Sequence, residues 1–164
     1  MAEQPHFVEI TAESVGGLHF RVTHGPSGAS AVTDAPKDNG GDASGFSPTD
    51  LVATGLLDCM MTTMAIVARR ESVPWGKTRG RVEKHMNPSP RRIGTLVVDV
   101  WMPSELPKES RERMENVAHT CPVQDPRAER SLIERDSRGG PVNPQFRLNA
   151  RHAGQRSGPD NADR

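Results

Sequence analysis

Apolar and polar positions change period along this chain, and the changes mark out its elements. Residues 6–12 (HFVEITA) alternate loosely. Residues 18–23 (LHFRVT) alternate well, with Leu18, Phe20 and Val22 against His19, Arg21 and Thr23. A two-residue period belongs to a strand with one covered face. Ser14-Val15-Gly16-Gly17 between the two runs is a turn signal, so together they predict a β-hairpin. Gly25-Pro26-Ser27-Gly28 leads into a short third strand at 29–33. Residues 34–46 (DAPKDNGGDASGF) are dense in Gly, Asp and Asn and read as a loop.

The period then switches. Ser47 before Pro48 suits a helix N-cap followed by proline at the first helical position, and Asp50 places a negative charge at the positive end of the helix dipole. From Leu51 to Ala68 the residues carry one charge, Asp58, and one weak helix former, Gly55. Leu51, Leu56, Met60, Met61, Met64, Ile66 and Val67 surround the axis, and a helix apolar nearly all round is expected to be buried. Arg69 and Arg70 close it, and Pro74 prevents continuation. A polar strand follows at 77–86, a loop at 87–92, a strongly β-branched strand at 93–102 and an amphipathic helix at 107–119. Met114, Val117 and Ala118 form the sparse apolar face of that helix. The order β-β-β-α-β-β-α predicts an α+β fold with a mostly antiparallel sheet.

The pattern fades after Val123. Residues 124–164 hold eight Arg and four Pro with few large apolar residues, so they read as a polar Arg/Pro-rich tail beside a domain at 1–123. Within the tail, residues 131–134 are the one stretch expected to pair as a strand. Composition adds two points. Only 34% of the residues are hydrophobic and 4% aromatic, which makes the core small and favours its enlargement by dimerisation. Lys plus Arg equals Asp plus Glu at 21 each, which removes a global charge as an argument for nucleic acid or a membrane surface. No run is expected to reach the ~18 apolar residues of a membrane span. The first ten residues lack a basic and apolar leader, so the expected location is the cytoplasm.

In that compartment cysteines are more often reactive than bridged, and the chain has two, Cys59 and Cys121, without a CxxC pair. Cys59 falls mid-helix on a stripe with Val52, Leu56, Thr62, Thr63 and Ile66. Taken alone it reads as a small buried apolar residue. Two threonines one turn onward, the neighbouring Asp58 and the small Gly55 one turn earlier argue for more. A reactive thiol needs a lowered pKa, and mid-helix there is no dipole to supply it. A cation must come from elsewhere, and Arg21 on the hairpin and Lys37 in the loop are the candidates. Cys121 follows the second helix in HTCPV. With His119 it offers two metal ligands where a site needs three or four. The other histidines (His6, His19, His24, His85 and His152) show no ligand spacing, so no metal and no cofactor is expected.

The segment FSPTDLVATGLLDCMMTTMAIVARR with HTCPV further on resembles the OsmC/Ohr family of osmotically inducible and organic hydroperoxide resistance proteins. HGPSGA, DAPKDNGG and Pro90-Arg91-Arg92-Ile93 also look like its OsmC-like branch, and the resemblance spans roughly residues 6–123. It implies a long central helix against a mostly antiparallel sheet in an intertwined homodimer with active sites at the subunit interface. It also implies that Cys59 is a peroxidatic thiolate that reduces organic hydroperoxides or hydrogen peroxide, and that Cys121 resolves the sulfenic acid as a disulfide. A dithiol reductant, such as a lipoylated protein, then reopens that disulfide. In the family a glutamate and an arginine orient the thiolate. The glutamate position is Thr49 here, the nearest acid being Asp50, and the arginine's counterpart is Arg21 or Lys37. The alternative expectation is a non-catalytic protein of the same fold, binding a small apolar ligand at the dimer interface with Met60, Met61 and Met64 lining it.

Overall fold

A computed structural model describes residues 7–124 and 145–152. The chain divides into two compact units, residues 1–52 and 53–164. The first is a three-stranded antiparallel sheet, β1 (Ile10–Gly16), β2 (His19–His24) and β3 (Ser30–Thr33), in that spatial order. The first strand lies four residues later than its alternation predicts. Gly16 and Gly17 take φ of 116° and 56°, so the reversal falls on them and not before. Ser14 and Val15 are thereby drawn into the strand, with a register break between Ser14 and Gly16. The predicted loop at 34–46 contains a single 3₁₀ turn, Lys37–Asn39, closed by Gly40 in the left-handed region. The apolar residues of this unit are turned out: Ile10, Val15, Leu18, Phe20 and Val32 are all exposed.

Helix α1 (Pro48–Arg70) starts in the first unit and runs through the second. The predicted N-cap is present as a capping box. Ser47 Oγ accepts from the Asp50 N–H at 3.2 Å, while Asp50 Oδ2 accepts from the Ser47 N–H at 2.8 Å and from its hydroxyl at 2.7 Å.

The second unit packs α1 and α2 (Lys108–Ala118) with a sheet of order β4-β5-β6, made of β4 (Arg79–Pro88), β5 (Arg91–Met102) and β6 (Gln145–His152). On β5 the alternating Leu96, Val98, Val100 and Met102 point into the core. There they join Ala53, Leu56, Met60, Met64 and Ala68 of α1 and Met114, Val117 and Ala118 of α2. The other face of β5 is organised by cross-strand pairs to β4. Asp99, almost wholly buried, accepts from Arg81 at 2.8 Å, and Arg79 stacks over the Trp101 ring at 4.8 Å. Gly80 lies between these two arginines. A Cβ there would come within 2.7 Å of the Leu57 and Met61 side-chain ends, so the missing side chain lets α1 lie close on β4.

Four expectations need correction. The loop predicted at 87–92 shrinks to Ser89-Pro90, because ladder pairing continues through Asn87↔Arg92 and Pro88↔Arg91. Backbone groups make that ladder, so the polar side chains that suggested a loop do not oppose it. The strand expected at 131–134 lies outside the described residues, while a strand that was not expected in the tail spans Gln145–His152. This strand is paired in parallel with β5 from Thr95↔Gln145 to Met102↔His152. Phe146, Leu148 and Ala150 alternate with Arg147, Asn149 and Arg151, a strand period masked by the arginine content. A parallel neighbour needs a crossover, and α2 lies within it. The all-round apolar helix does not bury all round: Ala53, Leu56, Met60, Met64 and Ala68 form one buried stripe, while Val52 and Ile66 are 51% and 39% exposed. Finally, α1 is long and apolar enough to cross a membrane, contrary to the expectation for this chain, although its buried stripe is part of the core.

Candidate active site

Both cysteines belong to the second unit, and the fold brings them together. Cys59 lies in α1 at the border between the buried stripe (Leu56, Met60) and the exposed positions (Val52, Gly55, Thr62), so its side chain is half-buried. Cys121 comes from the turn that ends α2. Its N–H reaches back to the Ala118 carbonyl at 3.4 Å, and its own carbonyl accepts from Gln124 at 2.9 Å. The Cys121 side chain is fully buried in the core cluster, and both thiols are free. Burial first, then a hydrogen bond and charge interaction with Cys59, push the Cys121 thiol up to about 11. The result is one half-buried thiol and a second, fully buried and held above its ordinary value, beside it.

The remaining residues singled out from the sequence have other surroundings. Thr63 donates its hydroxyl to the Cys59 backbone carbonyl at 2.7 Å, a bond within the helix. Asp50 completes the capping box described above. Arg21 forms an ion pair with Glu13 across the β1–β2 hairpin at 3.1 Å, and both are largely exposed. Lys37 stands exposed in its 3₁₀ turn. His119 is exposed, while Cys121 is buried. Met60 and Met64 are completely buried in the core of the single chain, and Met61 lies against Gly80. Met60 and Met64 therefore fill core volume in the single chain.

A family model described as OsmC-like protein matches residues 40–126, more than half of the chain. The chain belongs to the OsmC-like family. Solved structures agree. A protein of Psychrobacter arcticus, named as a candidate osmotic stress induced and detoxification response protein, is 30% identical; the match covers 87% of this chain and 93% of that one with a TM-score of 0.71. An organic hydroperoxide resistance protein OsmC of Legionella pneumophila shares the fold at 18% identity, with 90% and 98% of the two chains covered and a TM-score of 0.63. The organic hydroperoxide resistance protein OhrB of Bacillus subtilis does so at 20% identity, with 88% and 98% covered and a TM-score of 0.57. No curated protein matches the sequence. The α+β architecture expected of an OsmC-like chain is thus present; its alternation and helix signals were sufficient to place it.

One group of ligand-type side chains was not foreseen. In the first unit, His19, Asp34 and Asp42 bring ligand-type atoms within 4.8 Å of one another. They come from a strand, a strand end and a Gly-rich loop. Spacings of 15 and 8 residues match no compact ligand motif, so only the folded loop brings them together.

Proposed function

We propose that this OsmC-like chain is a thiol-dependent peroxidase, acting on organic hydroperoxides or hydrogen peroxide in a peroxide stress response. The observation that supports this most is the pairing of a half-exposed Cys59 with a buried, protonated Cys121. The Cys59 thiolate attacks the distal oxygen of the hydroperoxide, the O–O bond breaks, and the leaving alkoxide takes a proton to become the alcohol. Cys59 is left as a sulfenic acid. The Cys121 sulfur then attacks the Cys59 sulfur, hydroxide leaves as water once protonated, and a disulfide forms. A dithiol reductant, such as a lipoylated protein, returns both thiols. The names of the hydroperoxide resistance proteins that share the fold agree with this chemistry. The test is peroxide consumption by the purified protein with a dithiol reductant, and unchanged consumption after Cys59→Ser would end the proposal.

Cys121 must lose its proton to act, and this sets a pH dependence. Two of the causes that push its thiol up to about 11 act through Cys59 and change once that residue is a sulfenic acid. Burial, the first of them, remains, so the reactive fraction keeps growing about tenfold per pH unit beyond the ordinary cysteine value. Disulfide formation after a single pulse of peroxide is therefore expected to accelerate steadily from pH 7 to pH 10. Stopped-flow detection of the disulfide would check it, and a plateau near pH 8.5, the ordinary cysteine value, would show that Cys121 is not held in this buried form when it reacts.

The same reading includes a homodimer. The exposed apolar residues of the first unit and the exposed Val52 and Ile66 of α1 are surfaces that a second copy would cover. Light scattering on eluting protein is expected to give twice the mass of the 17.9 kDa chain. A monomer at micromolar concentration would contradict it.

A further inference from the structure

We propose that His19, Asp34 and Asp42 form a binding site for a divalent first-row transition-metal ion, of the Mn²⁺, Fe²⁺ or Zn²⁺ type, in the first unit. The case rests on one buried oxygen and the ligand-type atoms around it. His19 Nδ1 lies 3.3 Å from the Gly16 carbonyl oxygen. His19 Nε2 faces Asp34 Oδ1 at 3.5 Å and Ser44 Oγ at 3.3 Å. The Ser44 hydroxyl donates to Asp34 Oδ2 at 3.0 Å, where the Ser44 N–H also donates at 2.8 Å. Nε2 and Oδ1 thus face each other across a gap that a cation can bridge.

Asp34 adds to this. It is 1% exposed, and its Oδ1 is buried without accepting a hydrogen bond. A buried carboxylate oxygen left unbonded is costly unless a positive charge meets it. Asp42, exposed on the loop, brings a second carboxylate to the same point.

The dimensions suit a metal. Bonds of about 2.0–2.1 Å to nitrogen and carboxylate oxygen place neighbouring ligands of a tetrahedral site about 3.4 Å apart, close to the 3.5 Å found between His19 and Asp34. The outer contacts are also of the kind that support ligands. The Gly16 carbonyl contacts the imidazole at Nδ1, and Ser44 fixes Asp34 through the oxygen that does not face the site. One imidazole and two carboxylates favour a borderline or hard divalent ion over a soft one. Bound there, the ion would tie the 34–46 loop to β2.

The competing source of positive charge is a proton on Nε2, making an imidazolium paired with Asp34 alone. Mn²⁺ separates the two, because it has little affinity for the thiols. Titration of the metal-free full-length protein with Mn²⁺, followed by the electron paramagnetic resonance signal of the free ion, is expected to show one ion bound per chain. Asp42→Asn changes an exposed side chain and does not endanger folding; it and His19→Ala are each expected to weaken binding at least tenfold, and Ser44→Ala about tenfold. Absence of Mn²⁺ uptake by the unmodified chain, or equal uptake by Asp42→Asn, overturns the proposal and leaves the imidazolium pair.

Discussion

Cys59→Ser is expected to reduce dithiol-dependent peroxide turnover at least about a thousandfold while leaving the circular dichroism spectrum and unfolding midpoint close to those of the unmodified chain. Serine keeps the size of the side chain at a half-exposed helix position, so packing has little reason to change. What it loses is the thiolate, and no hydroxyl at neutral pH replaces it as a nucleophile toward peroxide oxygen. Cys121→Ser should behave differently. It retains Cys59, so it consumes about one equivalent of peroxide quickly and then accumulates sulfenic acid, which a dimedone adduct at Cys59 would reveal by mass spectrometry. Rapid multiple turnover by Cys121→Ser with a dithiol would mean that the external reductant resolves Cys59 directly. Equal loss of the first equivalent in both variants would mean that the cysteines do not divide their roles as proposed.

The second large effect concerns stability. Met64→Ala is expected to cost about 2–5 kcal/mol, read from urea unfolding at a fixed protein concentration. Met64 is 0% exposed and sits in the cluster formed by α1, β5 and α2, where truncation leaves a cavity that rigid helix and sheet backbones cannot fill. Against a typical total of 5–15 kcal/mol this is a large fraction. Ile66→Ser, two residues away on the exposed side of the same helix, should cost the isolated chain far less, because its side chain is already 39% accessible. If that surface is instead covered by a second copy, Ile66→Ser will shift the mass measured by light scattering. A destabilisation by Met64→Ala below about 1 kcal/mol would contradict the packing described for α1.

Much of this structure was legible in the sequence. The period-2 run marked β2, the β-branched run marked β5, the Ser47-Pro48 start and the Arg69-Arg70 end framed α1, and the sparse apolar face of α2 became its buried side. What failed did so for identifiable reasons. Composition hid β6, since Arg147, Asn149 and Arg151 at alternate positions lower hydropathy without interrupting a strand's period. Apolar content overstated the burial of α1: side-chain chemistry shows that a position tolerates burial, and only the neighbouring elements determine which stripe is covered. The closeness of Cys59 and Cys121 could not be derived from their spacing of 62 residues; it depends on how α2 packs on α1. The His19, Asp34 and Asp42 group lay beyond reach for the same reason, because a loop rich in glycine gives no periodicity from which to place a carboxylate.

The parallel strand β6 has a consequence for how the chain avoids self-association. Strand β5 carries the β-branched run of this protein, and β4 occupies one of its edges along the whole length. On the other edge, β6 takes up the backbone groups from Thr95 to Met102. A chain ended at residue 124 would present that edge, with Leu96-Val97-Val98 and Val100-Trp101, as an open template onto which the same segment of another molecule could add. The C-terminal segment therefore closes the β5 ladder on that side with its own backbone.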